Sequence, residues 1–153
     1  MKGRMLILVG LPFFVVLAFL MVGCTPKVAI HTEGTWVNEK QEPQKEIDTA
    51  DGVWTQYLHI SDTKVFYSGT GKVVGRWTDS EGNVWQKVLS TMTFPDAYKG
   101  MILAVLQKFS KNGNVRESVL TMPSSDAELK NPVFPSKIDP QDVHYEIYYR
   151  QEK

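Results

Sequence analysis

Residues 72–94 read KVVGRWTDSEGNVWQKVLSTMTF. The centre of this stretch, Asp79-Ser80-Glu81-Gly82-Asn83, is a hairpin turn in which Gly82 supplies the positive φ such loops need. On its N-terminal side Lys72 to Thr78 places Val73, Gly75 and Trp77 on one face of a strand. On the other side Val84 to Phe94 is a long strand stopped by Pro95, because proline cannot donate to a ladder. Trp85 and Lys87 share a face with Leu89, which suits the outer wall of a sheet. Two strands and a tight turn make an antiparallel hairpin.

The same grammar extends in both directions. Upstream, Gly34 to Asn38 is a short strand, and Glu39 to Asp51 is a polar connection containing Pro43. Val53 to Ile60 alternates, with Trp54, Leu58 and Ile60 on one face and Thr55, Tyr57 and His59 on the other. Lys64 to Ser68 is a further strand, and Gly69-Thr70-Gly71 reads as a tight connection into Lys72. Downstream, Tyr98 to Ser110 and Asn114 to Met122 flank Asn112-Gly113, the favoured pair for a two-residue hairpin. Within the first of these, Gly100 to Phe109 is apolar on both faces, so periodicity alone leaves strand and helix open. The need of Asn112-Gly113 for two flanking strands favours strand. A loop bearing Pro123, Pro132, Pro135 and Pro140 leads to a last strand, Val143 to Gln151. About eight short antiparallel strands most simply close into an up-and-down barrel, which removes exposed edges. A two-sheet β-sandwich is the alternative.

The first residues carry a different signal. Lys2 and Arg4 precede an uncharged run from Met5 to Val22, which ends at Gly23-Cys24; this is the layout of an export leader. Met21-Val22-Gly23-Cys24 resembles the bacterial lipobox, with Met where Leu is usual. The resemblance implies cleavage before Cys24 and a diacylglyceryl thioether on its sulfur. By the same resemblance to enterobacterial lipoproteins, Thr25 after the cysteine points to the outer membrane, facing the periplasm, where the source has two membranes. The expected organisation is a leader at 1–23, a tether at 24–33 and a barrel domain at 34–153. Losing Lys2 and Arg4 with the leader leaves 15 basic against 17 acidic residues, a balance of −2. That argues against a nucleic-acid partner, which calls for a basic patch. Cys24 is the only cysteine, so no disulfide, thiol nucleophile or cysteine metal site is available to the domain.

The two ends of the domain carry a second resemblance. Gly34-Thr35-Trp36 on the first strand and Arg150 on the last resemble the lipocalin and calycin group of barrels. In that group the tryptophan plugs the closed end and the arginine lies across its ring. The resemblance implies barrel closure by Trp36 and Arg150, a contact worth roughly 0.5–2 kcal/mol for a guanidinium over an indole. Here the long Pro-bearing loop between the last two strands is a departure from the group.

No residues announce catalysis. There is no Gly-x-Ser-x-Gly elbow and no phosphate-cradling glycine loop before a helix. His31, His59 and His144 show no ligand spacing, so neither a metal nor a cofactor is expected. Asp48 and Asp51, and Asp139 and Asp142, are assigned to turns, where aspartate caps backbone groups. A barrel of this size holds side chains or one small ligand. Trp54, Trp77, Tyr145 and Tyr149 are the candidate lining of such a pocket. The expected function is therefore an envelope lipoprotein, anchored through acylated Cys24, that binds a small hydrophobic or amphipathic molecule in its barrel. The alternative is a non-catalytic structural or interaction module with a filled barrel, meeting an envelope protein through Pro123–Pro140 or Glu39–Asp51.

Overall fold

The Asp79–Asn83 turn is organised by the side chain of its first residue. Asp79 Oδ1 accepts from the backbone N–H groups of Glu81 at 3.0 Å and Asn83 at 2.9 Å, while Oδ2 accepts from the Trp85 indole at 2.8 Å. These bonds, the indole's foremost, hold the Asp79 carboxyl down at about 2. The computed structural model describes residues 31–152. The leader, Cys24 and most of the tether lie outside the described residues.

The described residues form strands β1 (Gly34–Val37), β2 (Lys45–Asp48), β3 (Val53–Tyr57), β4 (Tyr67–Thr78), β5 (Val84–Phe94), β6 (Ile102–Phe109), β7 (Val115–Thr121) and β8 (Glu146–Arg150). Every strand is antiparallel to its sequence neighbour, and β8 pairs with β1, so the sheet closes as an up-and-down barrel. This layout is consistent with a lipocalin-like fold. The ambiguous run before Asn112-Gly113 is strand β6, paired with β7 from Ala104↔Thr121 to Phe109↔Arg116. The Pro-bearing loop contains one short helix, α1 (Asp126–Lys130), capped by Ser125 Oγ accepting from the Glu128 N–H.

Three expectations about the strands are corrected. The stretch Glu39–Asp51, read as a connection, contains β2, which pairs with both β1 and β3. Gly69-Thr70-Gly71 is not a turn; it lies inside β4, which merges the two strands expected on either side of it. The reason is local. Trp54 sits opposite Gly69, and a Cβ on Gly69 would stand 2.6 Å from its ring, so the glycine makes room for an indole laid across it. The third concerns facing. A β-bulge at Val74 shifts the register, since Val73 pairs with Val88 and Gly75 with Lys87. One extra residue turns everything after it to the other face. Trp77 therefore points outward, 43% exposed, and stacks on Trp85 with ring centroids 5.9 Å apart.

The closed end is a plug of buried Trp36, Val84, Phe109 and Tyr148. Trp36 and Arg150 are directly paired across β1 and β8, and the guanidinium lies 4.4 Å from the indole centroid. Arg150 also donates to the carbonyls of Gly113 at 3.1 Å and Glu33 at 2.8 Å, and to that of His31. Gly34 is required at this crowded corner: its φ is +142°, and a Cβ would fall 2.8 Å from Arg150 Nη1. The β1–β8 ladder itself is two residues long. Amide side chains extend it: Asn38 Nδ2 donates to the Ile147 carbonyl at 2.7 Å, and Gln41 Oε1 accepts from the Ile147 N–H at 3.0 Å.

Candidate functional site: a two-part barrel cavity

Alternation along β5 sets the inner wall. Val84, Gln86, Val88, Ser90 and Met92 are buried, and the residues between them are not. Read from the plug, the inward series runs apolar, polar, apolar, polar, apolar. On β6, Phe109 pairs with Val84 in the plug, and Gln107, Val105 and Leu103 follow opposite Gln86, Val88 and Ser90 in register. On β7 the inward residues are Arg116, Ser118 and Leu120. The interior is thus polar just above the plug and apolar toward the far end.

Together these residues enclose a cavity of about 420 Å³. Its apolar part is lined by Val88, Leu103, Val105, Leu120 and Met92, and continues to Met122 and Val143. Met122 is 51% exposed and Val143 91%, so this end is the mouth. The volume falls in the range of about 300–1,000 Å³ typical of small-molecule sites.

The deep end is ionic. Arg116, 1% exposed, donates from Nη1 to Glu46 Oε1 and to Asp48 Oδ2, both at 2.7 Å. Its guanidinium also stands 5.0 Å from the ring centroids of Trp36 and Tyr148, so the plug indole is contacted by two arginines. Gln56 Nε2 donates to Glu46 Oε2 at 2.7 Å. Glu146, beside Ser118 on β8, brings a third carboxylate to the same chamber. Burial opposes the charge on Arg116, but Glu46 and Asp48 outweigh it and hold the guanidinium charged. Burial, and then the Glu46 charge, raise Asp48 well above the ordinary range despite Arg116. The same two causes push Glu146 up to about 7.

The Glu146 shift has a thermodynamic sign. A carboxyl that holds its proton more tightly folded than unfolded contributes full stability below its unfolded pKa, about 4.3, and loses it as pH rises to the folded value. Glu146→Gln is therefore expected to stabilise the protein by about 1–3 kcal/mol at pH 8 and to change little at pH 4.5. Urea unfolding at the two pH values checks this; equal effects at both would refute the assignment.

The anticipated pocket residues divide. Trp54 lines the cavity and donates from Nε1 to Ser90 Oγ at 2.7 Å. Tyr145 borders it, while its hydroxyl donates to Glu117 Oε1 at 2.9 Å on the outer wall. Trp77 is excluded by the Val74 bulge, and Tyr149 by parity: it neighbours inward Tyr148 and is 49% exposed. Neither lines the cavity. Asp48 is not a turn residue but an ion-pair partner of Arg116. Asp139 and Asp142 do accept from backbone N–H groups in their turns, those of Gln141 and His144. His59 is exposed in a turn, and His144 lies by the mouth. Among the described residues, no three His, Cys, Asp or Glu side chains are grouped to hold a metal ion.

Comparison with known proteins finds no match. No family model, curated protein or solved structure matches this chain.

Proposed function

We propose that this chain is an exported envelope lipoprotein whose barrel binds a small hydrophobic or amphipathic molecule. The observation that carries the reading is the cavity: about 420 Å³, apolar toward an exposed apolar mouth. A filled barrel, acting only as a structural or interaction module, would leave no such volume. Binding without catalysis fits the way several of the polar groups are engaged with one another. Glu46 and Asp48 are held by Arg116, and Ser90 by Trp54. The anchored location rests on the leader and on Cys24, whose acylation would place the barrel at the membrane, with Thr25 favouring the outer one. Two acyl chains suffice for stable attachment.

Two variants test this. Val105→Phe inserts a ring at mid-cavity and is expected to weaken binding of a fluorescent naphthalene amphiphile by about ten-fold, one unit of about 1.4 kcal/mol. Its melting temperature should stay near that of the parent, because the ring enters free volume. Unchanged affinity would defeat the binding reading. Cys24→Ser should shift the protein from the membrane fraction to the soluble fraction; retention in the membrane would defeat the anchor.

A further inference from the structure

The deep chamber holds more acidic than basic side chains. Glu46 and Asp48 on β2 and Glu146 on β8 face one cation, Arg116 on β7. The elements around them add amides and hydroxyls: Gln56 from β3, Gln86 from β5, Gln107 from β6, Ser118 from β7 and, at the plug, Tyr148 from β8, whose phenol is kept protonated by burial and the neighbouring acids. No lysine lines the cavity, and His144 lies by the mouth. Arg116 spends one nitrogen on Glu46 and Asp48, while Glu146 makes no ion pair with it, feeling its charge at longer range and accepting a hydrogen bond from Gln56. A second observation is independent of the acids. Gln86 is 2% exposed on the cavity wall, and its Nε2 makes no hydrogen bond; Arg116 Nε in the deep chamber is likewise unpaired, so an oxygen beside the ammonium has two donors to meet. A buried donor left unpaired costs about 1–3 kcal/mol unless a ligand supplies the acceptor.

Resting on the binding reading above, we infer that the ligand is a cationic amphiphile. Its ammonium group sits against Glu146 and Glu46, an adjacent oxygen accepts from Gln86 Nε2, and its apolar tail runs between Val88, Val105 and Leu120 to the mouth. The three parts of the cavity match such a molecule in order. A carboxylate head, as in a fatty acid, would meet the three acids and be repelled. A neutral head would leave their excess charge unmatched. A hydrogen bond made to a charged group is worth about 1.5–3 kcal/mol, or roughly ten-fold or more in affinity.

Isothermal titration of the full chain at pH 8 with decylamine, decanol, decanoate and the vicinal amino alcohol of the same length tests the inference. Decylamine is expected to bind at least about ten-fold more tightly than the alcohol or the carboxylate, and the amino alcohol more tightly again. Glu146→Gln should erase the preference for amine over alcohol, and Gln86→Leu the gain from the hydroxyl. Both variants remove buried polar cost, so folding should survive. Lowering pH from 8 to 6 should weaken amine binding by about ten-fold, because Glu146 takes up a proton while the amine stays charged. Decanol or decanoate binding as well as decylamine would overturn the cationic head group and leave the binding reading standing. No binding by any of the four would overturn both. An amino alcohol no better than decylamine would overturn the role of Gln86.

Discussion

Replacing Arg116 by methionine is expected to destabilise the barrel by about 3–5 kcal/mol at pH 8. Methionine keeps much of the volume and can lie between Trp36 and Tyr148, so the loss isolates charge rather than packing. What remains is Glu46, Asp48 and Glu146 in one chamber with no cation. Desolvation is then no longer offset by the guanidinium, and Asp48 and Glu146 hold their protons more tightly still. The sign with pH follows. Because the folded variant binds more protons than its unfolded chain, its stability falls as pH rises and recovers toward pH 5. The measurement is urea unfolding across pH 5 to 8, beside the parent. A deficit equal at both ends would mean that Arg116 acts by packing, and the ionic account of the chamber would fail. Adding Glu46→Gln to the methionine variant should restore part of the loss at pH 8, since the two residues share one contact and their effects are coupled.

Trp36→Ala is the second large effect, expected at about 3–5 kcal/mol from the transfer and cavity terms of a buried indole. The position concentrates several contacts. Trp36 is fully buried, packs on Phe109 with centroids 5.8 Å apart and lies between Arg116 and Arg150. It also stands in the two-residue ladder that joins β1 to β8. The variant should therefore lose amide protection at the β1–β8 seam well beyond its loss in the β4–β5 hairpin. Hydrogen exchange resolved by strand checks this. Trp36→Phe, which keeps an aromatic face for both guanidinium groups, should recover more than half of the stability. Uniform loss of protection would show that the indole is ordinary core and not a closure.

What the sequence revealed was governed by local chemistry. The turns at Asp79–Asn83 and Asn112–Gly113 were legible because Gly82 and Gly113 occupy positive φ, at 89° and 73°. The Trp36 and Arg150 contact was legible only through the resemblance that Gly34-Thr35-Trp36 and Arg150 bear, at the two ends of the meander, to a known group of barrels. The misses share a cause as well. Strand β2 was hidden because its inward residues are Glu46 and Asp48, so a strand that faces the interior carries a polar pattern. Its counter-ion, Arg116, lies 68 residues from Asp48, and no local reading pairs them. The bulge at Val74 altered no composition or spacing, yet it sent Trp77 outward. A signal for the ionic chamber did exist. Gln86 and Ser90 hold inward positions on β5, and polar residues at alternate core positions call for polar company across the barrel.

The seam has a topological consequence. The Gln151 N–H donates to the Thr35 carbonyl at 2.8 Å, so the outer ends of the first and last strands adjoin. All the other strand pairings join neighbours along the chain. The order of strands is therefore circular, and nothing in the wall marks one hairpin as a starting point. The same ring could be cut between other neighbours and rejoined at this corner without changing which side chains meet inside.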